Sequence, residues 1–75
     1  MLVKRSVTLS GHSTSIALER PFWDEVDRIA AERGQSRAAL IATIDRERDP
    51  ENNLASALRL LVLDDLTKDR EPDDS

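Results

Sequence analysis

The sequence predicts a mainly α-helical domain with a β-ribbon at its N-terminus, completed by a second copy of the same chain. Three observations predict it. The first eighteen residues alternate with a period of two, the rest repeats with a helical period, and 75 residues is close to the size at which a lone hydrophobic core becomes marginal. With 0 Cys and 1 His in the chain, disulfide staples and most zinc sites are excluded as substitutes for a larger core. Oligomerisation is the remaining route.

In the first segment Val3, Arg5, Val7 and Leu9 fall on one side and Lys4, Ser6, Thr8 and Ser10 on the other, which is strand periodicity. Gly11 interrupts it. From His12 the alternation resumes in a new register, with Thr14, Ile16 and Leu18 opposite Ser13, Ser15 and Ala17. Two short strands and one strand kinked at Gly11 fit this pattern equally well over residues 3–18. Neither makes a stable sheet alone, so pairing across a dimer is expected.

The period then changes to 3.6. Phe22, Val26, Ile29 and Ala30 share one helical face over residues 20–33, with Pro21 in the first turn and Gly34 as a left-handed stop. Ser36 can cap a second helix over residues 37–48, with Leu40, Ile41 and Ile44 inward and Asp49 and Pro50 after it. Asn53 can cap a third over residues 54–66, carrying Leu54, Ala57, Leu58, Leu61, Val62 and Leu66 on one stripe. Leu60 and Leu63 lie off that stripe, so this helix is apolar on more than one face, as suits burial between layers or subunits. Residues 1–66 thus form one domain. The charged stretch over residues 67–75 lacks apolar residues and reads as a disordered acidic tail.

A strand region, an amphipathic helix ending in Gly, a tight turn and a hydroxyl-capped second helix occur here in the order of a ribbon-helix-helix subunit. In spacing, residues 14–48 resemble the Arc and methionine-repressor class. The stretch RSVTLSGHSTSIALERPFW, followed by AAERG, AALIATID and NLASALRLLVL, is similar to a bacterial ribbon-helix-helix family with an added C-terminal helix. The resemblance covers roughly residues 4–66. It implies an intertwined homodimer whose ribbon enters the DNA major groove while the second helix holds a phosphate at its N-terminus.

Carried onto this chain, the resemblance makes Ser13, Ser15 and Ala17 the reading face and Ser36 and Arg37 the phosphate anchor. Lys4 and Arg5 supply the positive charge, because residues 1–12 carry two bases and no acid. The dimer core would be Ile16, Leu18, Phe22, Trp23, Val26, Leu40 and Ile44. Trp23 is read as a core or dimer anchor with its N–H satisfied, against the alternative of stacking on a base or ligand. The reading face is weak, since Ser bonds to almost any base and Ala only touches a thymine methyl. Plain solvation of the serines, and plain capping by Ser36, remain alternatives.

Arg5, Ser6, His12, Thr14 and Ser15 form the densest polar cluster, a combination that suits a phosphate or a nucleotide. Its structural alternative has Arg5 paired with an acid such as Glu19 and His12 bonded to a carbonyl. Arg59 is read as a solvated charge or a partner for Asp45 or Glu47.

A net charge of −4 argues against an indiscriminate polyanion binder. No Ser/His/Asp spacing, phosphate loop or carboxylate pair stands out, so no enzyme and no cofactor are expected. No apolar run approaches the ~18 residues of a membrane span. Lys4 and Arg5 are followed by polar residues rather than a secretory signal, which makes the cytoplasm the expected location. The leading expectation is a homodimeric transcriptional regulator on double-stranded DNA. The alternative is a module of the same fold that takes an anionic nucleotide, such as a cyclic dinucleotide, or a partner protein, with pairing of dimers into a tetramer left open.

Overall fold

A computed structural model describes residues 1–68. Strand β1 (Leu2–Leu9) and strand β2 (His12–Glu19) are followed by helices α1 (Arg20–Glu32), α2 (Arg37–Glu47) and α3 (Leu54–Lys68). The two strands are separate and pair antiparallel within the chain, so the ribbon expected to form between two chains begins as an intrachain hairpin. Two residues make the turn. Ser10 and Gly11 have φ of 52° and 83°, and positive φ at both central positions is the type I′ geometry whose twist matches that of the flanking strands.

The register pairs Val3 with Leu18, Arg5 with Ile16, Val7 with Thr14 and Leu9 with His12 on one face. Val7, Ile16 and Leu18 of that face are buried beneath the helices. Lys4, Ser6 and Thr8 oppose Ala17, Ser15 and Ser13 on the other face, which is exposed apart from half-buried Ala17.

Each helix is delimited by its own local chemistry. Pro21 sits in the first turn of α1, where no intrahelical donor is lost. At the other end Gly34 (φ 69°) lets Gln35 N–H donate to Ala30 O at 2.8 Å and Gly34 N–H to Ala31 O at 3.1 Å, the paired bonds of a Schellman stop. Ser36 Oγ accepts from Ala39 N–H at 3.0 Å and Asn53 Oδ1 from Ser56 N–H at 2.8 Å, capping α2 and α3. Helix α3 runs on through Thr67 and Lys68, two residues into the segment read as tail. The rest of that segment, residues 69–75, lies outside the described residues.

Trp23, Val26, Ile29 and Ala30 of α1, Leu40, Ile41 and Ile44 of α2, and Leu58 and Val62 of α3 close one core under the hairpin. Of the seven residues assigned to a dimer core, all but Phe22 are therefore buried inside a single chain. A third helix and a second strand give one chain the apolar surface that covers them. Leu66, which the period places on the buried stripe of α3, is 45 % exposed beside Leu60 and Leu63 at 54 % and 57 %.

The stripe instead ends on a carboxylate. Asp65 is buried and accepts from Arg28 of α1, which also holds Glu25 at 2.7 Å and Glu32 at 3.0 Å, while Lys68 lies 3.1 Å from its other oxygen. Arg59 bonds Glu19 Oε1 at 3.1 and 2.9 Å through two nitrogens rather than Asp45 or Glu47, which ties α3 to the end of β2.

Asparagine tolerates positive φ better than serine does, so Ser10→Asn is expected to stabilise the hairpin by about 0.5 kcal/mol and raise the thermal midpoint. A lowered midpoint would contradict the turn assignment. Hydrogen bonding to Arg28, followed by Lys68, holds the Asp65 carboxyl below its ordinary value against the opposing effect of burial. Its contribution is therefore present above the unfolded value near 3.9 and lost as pH falls through the lower folded value. Urea midpoints followed from pH 6 to pH 2 should drop less steeply for Asp65→Asn than for the parent, and parallel curves would show that this pair carries no acid sensitivity.

Candidate nucleic-acid interface

A side chain that reads a base edge has to stand clear of the core, and the hairpin sorts residues by that criterion. Lys4, Ser6, Thr8, Ser13 and Ser15 are all exposed on the outer face, with Ala17 half-buried beside Lys4. Four of the residues assigned to DNA, Lys4, Ser13, Ser15 and Ala17, thus share one surface. Thr8 joins them as the cross-strand neighbour of Ser13. Alternation without a settled hairpin does not bring Thr8 into the site; the Ser-Gly dipeptide between two alternating runs is the signal that could have found it.

Arg5 does not share that surface. One residue along a strand reverses the side-chain direction, so Arg5 projects to the inner face opposite Ile16 while Lys4 projects outward. It does not pair with Glu19. Its guanidinium carbon lies 5.5 Å from the centroid of the Trp23 ring. Trp23 is buried in the core, and its Nε1–H donates to Val3 O at 2.8 Å, which anchors the start of β1 to α1.

The five residues of the nucleotide alternative are divided the same way. Arg5, His12 and Thr14 belong to the inner face and Ser6 and Ser15 to the outer one. His12, Thr14 and Ser15 do line a groove of about 550 Å³ between β2 and the α2–α3 connection. The one arginine lining that groove, Arg48, is joined to Asp45 at 2.9 Å, so its charge is already offset.

The start of α2 lies at the opposite end of that helix from Asp45 and Arg48, and it is built to leave amides free. Ser36 Oγ takes Ala39 N–H and Ser36 O takes Leu40 N–H at 3.0 Å, so the Arg37 and Ala38 amides precede the first intrahelical bonds. Arg37 is not a loose cation. Its Nε and Nη2 grip the two oxygens of Asp27 at 2.7 and 2.8 Å, and its guanidinium carbon lies 5.5 Å from the Trp23 ring centroid. Arg37 holds the Asp27 carboxyl below its ordinary range, and Asp27 raises Arg37 in turn. A partner ten residues away on another helix leaves no trace in the sequence.

Among the described residues no helix is long and apolar enough to cross a membrane. Residues 2–66 match the model of a ribbon-helix-helix domain, a family typically composed of DNA-binding transcription regulators. The fold is similar to that of an uncharacterized protein from Bordetella pertussis Tohama I, with a TM-score of 0.75 and 31 % identity over 99 % of this chain. This chain spans 65 % of that one's length. The curated proteins contain no match. With its ribbon, its helix order and nearly its whole length accounted for, the chain belongs to the ribbon-helix-helix domain family.

Proposed function

We propose that the protein is a homodimeric DNA-binding transcriptional regulator, in which the outer face of the hairpin enters the major groove and the N-terminus of α2 approaches the phosphate backbone. What supports this reading is the outer face itself: hydroxyl side chains on both strands and one lysine, exposed and free of hydrogen bonds to the rest of the described residues.

The sheet supports the dimer. Among the described residues two strands form it, each paired only with the other, so each has an edge of unpaired backbone groups, and the edge used in this arrangement is that of β2. Joining two copies along that edge gives the order β1-β2-β2-β1 and merges the outer faces into one surface. Neighbouring strands lie about 4.8 Å apart, and a major groove about 12 Å wide admits a two-stranded ribbon. The two central β2 strands then carry Ser13, Ser15 and Ala17 to the bases. The outer β1 strands bring Lys4 toward the phosphates on either wall.

Short hydroxyl side chains discriminate poorly between bases, and a chain of net charge −4 gains little from indiscriminate phosphate binding. The regulator therefore needs deformable or repeated sites, where shape adds to base recognition. Genome-wide DNA crosslinking in cells should give discrete peaks. Lys4→Gln should weaken all of them together while lowering the slope of log affinity against log salt by about 0.9 for each phosphate that is no longer neutralised. A flat crosslinking profile, with no promoter fragment retarded at low salt, would overturn the proposal.

A further inference from the structure

The inner face of the hairpin holds one side chain that the packing does not account for. Arg5 lies on β1 between Val3 and Val7 and is half-buried. The described chain has five half-buried arginines, and Arg28, Arg37, Arg48 and Arg59 each end on a carboxylate. Arg5 does not. It forms no ion pair with a described residue, and its Nε is buried with no hydrogen-bond partner.

Buried donors are normally satisfied, and an unmet one costs at least as much as a half-exposed cation–π interaction returns. Stacking against Trp23 therefore does not by itself justify a guanidinium here. The surroundings are also electrically incomplete. Arg5 and Arg37 each lie 5.5 Å from the Trp23 ring centroid; Asp27, whose carboxyl Arg5 also lowers through space, gives both of its oxygens to Arg37. Trp23 is pinned by Val3 O, so the ring that positions Arg5 is itself fixed. Among the described residues Arg5 thus feels one carboxylate without bonding to it.

We propose that Arg5 is a phosphate-binding side chain, its stem and Nε held in against Trp23 so that its terminal nitrogens take a backbone phosphate of DNA flanking the groove that the ribbon enters. The occupant rests on the DNA-binding reading; the geometry of the cluster does not. Arg5 thereby acts separately from Lys4, directed to the flank of the site instead of its floor. Its role is in binding and not in holding the fold together.

Arg5→Met separates the two roles, because it keeps the side-chain stem and removes the charge. The parent and the variant are titrated with a labelled duplex of mixed sequence over a salt series, and their thermal midpoints are compared. The expected result is an unchanged or raised midpoint together with a salt slope shallower by about 0.9 per protomer, and Arg5→Lys should keep the parental slope. An unchanged slope for folded Arg5→Met overturns the proposal while leaving DNA binding intact, and Arg5→Gln supplies the same comparison if the methionine variant does not fold. Absence of duplex binding by the parent at low salt removes DNA as the occupant. Pyrophosphate titrated against Trp23 emission then decides: a saturable change that is absent in Arg5→Met retains a phosphate site for a free anion, and no saturable change in the parent overturns it.

Discussion

The pairing of β1 with β2 across the Ser10–Gly11 turn is the constraint on which the rest depends. Side chains alternate along each strand, so the turn decides in one step which residues face the helices and which face water. With Leu9 opposite His12, Val7, Ile16 and Leu18 enter the core and Ser6, Thr8, Ser13 and Ser15 leave it. A slip of one residue would bury the serines and expose Ile16 and Leu18. Both the core and the candidate interface come from a single register.

That register also makes the single chain more self-sufficient than its length suggests. The hairpin roofs a three-helix core, Trp23 ties the start of β1 to α1, and Arg59 ties the end of β2 to α3. What remains unmet in the single chain lies at its margins. Among the described residues each strand has one unpaired edge, and Leu60, Leu63 and Leu66 stand exposed on α3. Trp23 and Leu40 are already covered within one chain; in the proposed dimer a second copy would extend the sheet and double its outer face.

The helices are legible in the sequence because their signals are local. Gly34 as a stop, Ser36 and Asn53 as caps and the apolar stripes of α1 and α2 each sit within a few residues of what they determine, and each is found where the periodicity puts it. The faces of both strands are legible for the same reason. The partner of each strand is not, since alternation says which residues share a face and nothing about which chain supplies the neighbouring strand. Long-range ion pairs are equally hidden. Asp27 with Arg37, Glu19 with Arg59 and Asp65 with Arg28 join different elements, and many other acids and bases at similar separations make no pair. Leu66 shows the limit of periodicity at a helix end, where the stripe continues past the neighbour that would cover it.

Because the chain has no cysteine of its own, the hairpin can be tested by placing one on each strand. Ser6 and Ser15 are directly opposed in the register, and cross-strand neighbours of this kind come within the reach of a disulfide. Oxidation of the Ser6→Cys, Ser15→Cys double variant at low concentration should give a disulfide within one chain, seen as a species of single-chain mass under denaturing, non-reducing conditions. A product found only as a covalent dimer would mean that β1 pairs with β2 of another chain, and would contradict the fold on which the interface is built.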